Sequence, residues 1–162
     1  MATSNTAALP AKLDAITTRD AAPAYRRQIN PLNSLVANFD AALDARPPHH
    51  NRNLLYVLRG AGTFLCAGFD AGRSVLMALT IFLHLKYLGI DDYRHAYDVA
   101  CGDYLSVMFG PPFKLLKGKS HNILPWLVAQ NPEPIPDLIH IVTGPDTEIS
   151  QQSLSSALTF TR

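Results

Sequence analysis

Cysteine, tryptophan and charge are all scarce in this 162-residue chain: two Cys, one Trp and 17% Asp, Glu, Lys and Arg, against about 25% charged residues in an ordinary globular domain. Each scarcity excludes something. Cys66 and Cys101 lie in apolar stretches and form neither a disulfide framework nor a spaced metal motif, as expected of a reducing compartment. A net charge of +1 supplies no global pull towards nucleic acid or a membrane surface. No run of 18 or more apolar residues is present to cross a bilayer, and residues 1–30 lack the apolar core of a signal peptide. What remains is a 48% hydrophobic chain with enough mass for one folded core and a thinly charged surface.

The pattern along the chain predicts a mainly helical fold. Residues 1–30 read as an arm carrying one short helix after Pro10, residues 31–143 as the single domain, and residues 144–162 as a Ser, Gln and Thr-rich flexible tail. Asn30 and Pro31 open a helix whose Leu32, Leu35, Val36, Phe39 and Leu43 share a face, and residues 46–53 break it. Leu54–Leu58 and Thr63–Phe69 are short apolar runs around Gly60 and Gly62; they fit two strands or loosened helix, with helix the expectation. From Arg73 to Leu88 apolar residues go almost all the way round, which predicts a buried central helix closed by Gly89. Tyr93, Ala96, Tyr97, Ala100, Cys101, Tyr104, Leu105 and Met108 recur at helical spacing, with Asp91 or Asp92 as cap and Gly110-Pro-Pro as stop. Phe113–Leu116 and Ile123–Val128 read as short helical turns, Pro132–Pro136 as an extended connector, and Leu138–Val142 as a strand or docked segment.

Chemistry concentrates before the central helix, in Ala67-Gly-Phe-Asp-Ala-Gly-Arg-Ser74. This piece resembles the phosphate loop of nucleoside triphosphatases, but Arg73 stands where those enzymes need lysine, and the ninety or so residues that follow are few for their parallel sheet. It also resembles the loop of cysteine-dependent phosphatases, in which five residues separate a thiolate from an arginine. Here six lie between Cys66 and Arg73, and alignment on Arg73-Ser74 puts Ala67 at the nucleophile's place. Ala67-Gly-Phe-Asp70, with Val75 and Thr80, is similar to a signature in coat proteins of flexible filamentous plant viruses. The plain alternative is a glycine-rich turn with Asp70 as helix N-cap.

No histidine pair, catalytic triad or carboxylate pair has useful spacing, so no catalytic residue, metal ligand or cofactor is assigned, and an enzyme is not the leading expectation. His49 and His50 are adjacent in a proline-rich loop, and His84, His95, His121 and His140 stand singly. Cationic residues are the remaining feature: Arg26, Arg27, Arg52, Arg59, Arg73, Lys114, Lys117 and Lys119 are candidates for RNA or phosphate contact, with solvated loops as the plain alternative. Lys and Arg outnumber acids seven to four in residues 1–60, whereas one faces four in residues 121–162, which suits head-to-tail association.

These features lead to an expected self-associating structural protein, cytoplasmic or in a virion, with a coat or nucleoprotein subunit contacting RNA as one form of it. A phosphate-ester-binding protein or degenerate phosphatase using Gly68–Ser74 is the rival. A monomeric adaptor docking through Pro132–Pro136 is the third reading.

Overall fold

The computed structural model describes residues 31, 32, 34, 35, 48–130, 135–142 and 147–161, with side chains placed from residue 53 in the first full helix and from 151 to 160 at the end. The order is α1 (Pro48–Leu58), β1 (Thr63–Ala67), a tight turn (Asp70–Gly72), α2 (Arg73–Ile81), β2 (Lys86–Asp91), α3 (Ala96–Phe109), β3 (Phe113–Lys117), α4 (Ser120–Ala129), β4 (Leu138–Ile141) and α5 (Thr147–Leu158). All four strands are parallel, side by side as β3-β2-β1-β4.

The mainly helical expectation is therefore wrong: this is an α/β domain. A parallel strand covered on both faces is apolar on both, so it reads as a continuous run and loses the alternation that identifies strands in a sequence. The long predicted central helix is two elements. α2 ends at Ile81, Phe82 leaves helical geometry at φ −108°, ψ 83°, and Leu88 and Gly89 lie within β2 instead of closing a helix. Thr63–Phe69 supplies β1, and the supposed turn at Phe113–Leu116 is β3. Successive strands begin at residues 63, 86, 113 and 138, so the chain after the loop is long enough for the sheet.

Side chains alternate across the sheet. Phe64, Cys66, Tyr87 and Phe113 pack with Leu54 and Leu58 of α1, Val75, Leu76 and Leu79 of α2 and Tyr97, Cys101 and Leu105 of α3. Leu65, Ala67 and Ile90 pack on the other face with Leu124 and Leu127 of α4 and Phe160 beyond α5. The split follows from the route: β1 to β2 to β3 moves one way across the sheet, and the return to β4 reverses. With crossovers of one hand, the reversal puts α4 on the opposite face.

Other sequence readings meet the structure more closely. α3 ends at Gly110 and buries Tyr97, Cys101 and Leu105 as its periodicity predicts, although its N-cap is His95, whose N–H donates to Asp98 Oδ2 at 2.9 Å. Leu32 is buried against the α1 layer, while Val36, Phe39, Leu43 and the arm before residue 31 lie outside the described residues. The tail expected to be loose from its polar composition contains α5, which packs on α4. Ala157 and Phe160 are buried, and the hydroxyls of Ser153 and Ser120 meet at 2.9 Å. A few well-placed side chains are enough because α4 already offers an apolar face.

Candidate functional site

β1 is where the strand order reverses, so the carboxyl ends of β1 and β4 border a crevice of the kind in which open α/β sheets bind ligands. The Gly68–Ser74 loop rises from this point. Gly68 N–H donates to the Ile90 carbonyl at 2.8 Å, Phe69 N–H to Asp91 Oδ2 at 2.8 Å, and Gly72 N–H to the Phe69 carbonyl at 3.0 Å. Phe69 is right-handed (φ −89°, ψ −41°), and Asp70, Ala71 and Gly72 then take φ of 44°, 57° and 74°. A right-handed residue followed by left-handed ones turns successive amides to one side, the geometry of backbone anion cradles. Gly72 is required: a Cβ there would meet strain from its φ and overlap the Leu105 and Phe69 side chains.

Gly72 is also the N-cap of α2, and as a glycine it brings no capping side chain of its own. Asp70, the expected cap, sits two residues earlier in the left-handed turn. The first turn of α2 and the positive end of its dipole lie at the crevice.

Charge around the loop is mixed. Asp91 closes the β2 side, its Oδ1 accepting Tyr93 N–H at 2.7 Å while Oδ2 holds the loop. Asp98 is nearly fully buried, and burial raises its carboxyl above the usual range, against the lowering effect of the His95 N–H bond; Asp91 and Asp70 add to the rise. Burial, Asp91, Asp103 and Asp98 likewise hold the Tyr93 phenol protonated above its ordinary range. On the cationic side, Lys117 Nζ lies 5.5 Å from the centre of the Tyr93 ring, and the Arg73 charge reaches Cys101, partly opposing the rise of that thiol to about 11 that burial and Asp98 produce.

Within the crevice a small cleft is lined by Cys66, Ser74, Val75, Tyr87 and His140, with Phe64, Phe69 and Val142 as apolar walls. It has room for only a very small molecule. Cys66 is flanked in register by Gly89 on β2 and His140 on β4. Its Sγ donates to the Gly68 carbonyl at 3.1 Å and lies 3.6 Å from His140 Nδ1.

The structure brings some of the expected cations together and separates others. Arg73, Lys117 and Lys119 all stand at the carboxyl edge, the last as N-cap of α4. Lys114 is exposed within edge strand β3, and Arg59 is exposed after α1, at the opposite end of the sheet. Arg26, Arg27 and the Arg52 side chain lie outside the described residues. Sequence reasoning missed Tyr87 and the Cys66–His140 pairing, and named Asp91 only as a helix cap, a place that His95 takes. Asp91 carried a weak signal as the last residue of an apolar run, whereas residues 66 and 140 become neighbours only through strand pairing. Among the described residues no three His, Cys, Asp or Glu side chains are grouped to hold a metal ion, and no helix is long and apolar enough to cross a membrane. Compared with models of known protein families and with curated proteins, the sequence matches none.

Proposed function

We propose that this chain binds a phosphate ester at the crevice between β1 and β4, on the Gly68–Ser74 loop and the first turn of α2. The observation that carries the reading is the left-handed turn at Asp70–Gly72 entering a helix with a glycine N-cap at the point where the strand order reverses. Arg73 begins that helix and supplies the one cation built into the loop, with Lys117 and Lys119 further along the same edge. Asp70, Asp91 and Asp98 offset these charges, so affinity comes from amides and the Arg73 fork and not from a broad positive field.

The reading is binding, not hydrolysis. Ala67, aligned with a phosphatase nucleophile, points into the α4 and α5 layer, while Cys66 lies beneath α2 with its thiol on the Gly68 carbonyl. No lysine stands in the loop to reach a terminal phosphate. Calorimetric titration with inorganic phosphate and with nucleoside monophosphates tests the proposal. Saturable binding that is lost in Arg73→Ala, with the unfolding midpoint retained, supports it; no heat from either ligand with the unaltered protein refutes it.

Self-association is a second reading, favoured by large apolar side chains left in water: Leu83 is 85% and Val107 89% exposed, and Trp126 on α4 and Leu158 on α5 are more than half exposed. A structural subunit contacting RNA belongs to this reading. Light scattering at two salt concentrations, with and without RNA, decides it. A single monomer mass with no RNA retention rejects it.

A further inference from the structure

The Cys66 neighbourhood is a nucleophile's environment that the phosphate-ester reading does not use. Cys66 and His140 are register partners on adjacent parallel strands and point to the same face, which fixes Sγ and Nδ1 3.6 Å apart by backbone pairing and not by side-chain chance. On the other flank, Gly89 leaves space for the Tyr87 hydroxyl, since a Cβ at 89 would stand 2.6 Å from that oxygen. Burial first, then the charge of Cys66, then Asp91, hold the Tyr87 phenol protonated well above its usual range, and it is hydrogen-bonded to Cys66. The sulfur thus has a proton acceptor on β4 and a hydrogen-bond donor on β2. Ser74 and Val75 bring the start of α2 to the same cleft, where the helix dipole favours a thiolate. The cleft that reaches the sulfur has room for only a very small molecule, which limits the reagent to the smallest electrophiles.

We propose that Cys66 is a hydroperoxide-reactive thiol, with His140 as its proton acceptor and donor and hydrogen peroxide as the class of oxidant the cleft admits. In the resting form the Cys66 thiol keeps its proton and donates it in a hydrogen bond to the Gly68 carbonyl. Transfer to His140 Nδ1 leaves a thiolate that accepts from the imidazolium and from Tyr87. The sulfur attacks one peroxide oxygen, an S–O bond forms and the O–O bond breaks. Sulfur loses two electrons and the peroxide gains them. The departing hydroxide takes the proton from His140 and leaves as water, and Cys66 becomes a sulfenic acid. Cys101 is the built-in comparison: it is fully buried, and burial and Asp98 push its thiol up to about 11. The two thiols are the only ones in the chain.

The test exposes the folded 162-residue chain to dilute hydrogen peroxide, traps sulfenic acid with a 1,3-diketone, and locates the adduct by peptide mass spectrometry. The expected result is an adduct on Cys66 formed at least about a hundredfold faster than on Cys101, and a drop of at least about tenfold in that rate for His140→Ala and His140→Gln. Thermal unfolding of each variant, recorded alongside, separates a lost proton acceptor from a lost fold. If His140→Ala unfolds, the folded His140→Gln protein and the ratio between the two cysteines in the unaltered protein decide the matter. Equal labelling of the two cysteines, no adduct on Cys66, or an unchanged rate in a folded His140 variant overturns the proposal. Because this experiment contains no phosphate ester, its outcome is independent of the binding reading.

Discussion

Asp91 Oδ2 accepts the Phe69 N–H at 2.8 Å, joining the end of β2 to the loop that follows β1. Its other oxygen takes Tyr93 N–H, where the backbone has a φ of 55°, so one carboxylate holds two unusual turns. Asp91→Ala leaves both amides without that acceptor and is expected to cost about 3 kcal/mol in urea unfolding, with Asp91→Asn losing less because one carbonyl oxygen remains. Amide exchange at Phe69 and Tyr93 rises with the loss. Unchanged protection at both positions in Asp91→Ala shows that the loop does not depend on this carboxylate.

Gly72→Ala is expected to destabilise by about 3 kcal/mol, part from its left-handed φ and part from overlap with Leu105 and Phe69. Leu105→Ala alone costs about 2–5 kcal/mol as a core truncation. The double variant is less destabilised than the two together by about 1 kcal/mol, because the smaller residue at 105 makes room for the new methyl. Strict additivity in denaturant curves means the overlap is relieved elsewhere.

Two carboxylates act on acid stability with opposite sign. Asp137 accepts from the Thr63 hydroxyl and from the Gly62 and Thr63 amides, and these bonds hold its pKa below the ordinary aspartate value. Its contribution is therefore complete above the unfolded pKa and disappears as pH falls through the lower folded value. Asp98 is raised, so the stability tied to its proton is complete below the unfolded pKa and disappears as pH rises through the folded value. Asp137→Asn thus lowers stability at neutral pH and flattens the acid decline. Asp98→Asn, which keeps an acceptor for His95 N–H, is neutral or stabilising at neutral pH. Melting temperatures from pH 2.5 to about 7 check both directions.

Gly89→Ala places a methyl group against the Tyr87 hydroxyl and Leu115, and a loss of about 1–3 kcal/mol is expected from overpacking. Tyr87→Phe in the same background recovers part of it by removing the oxygen nearest the new carbon. Thermal melts of the two single variants and the double variant show whether that recovery occurs.

The local segments were more legible in the sequence than their arrangement. α3 announced itself because a helix with one wet face keeps its period, and Tyr97, Cys101 and Leu105 are the residues that go inside. β1 and β2 did not, because Phe64, Leu65 and Cys66, or Tyr87 and Ile90, face apolar layers on both sides. Without strands, Arg73–Leu88 merged into one helix, although the buried Val75–Leu79 section was helical as read. The Gly68–Ser74 loop stood out by composition, since a positive φ at Gly72 leaves a mark in the residue used. His140 left none. Its meaning comes from a strand register linking residues 74 positions apart, which no local pattern encodes.

Among the described residues β4 is the last strand in chain order yet lies beside the first. During synthesis β1, β2 and β3 can assemble while the crevice still has only one wall, and Cys66 spends that interval without the imidazole that later adjoins it. Completion of the pocket is thereby tied to the arrival of residues 138–142 from the ribosome, so a truncated product lacking them would carry the loop but not the finished chamber.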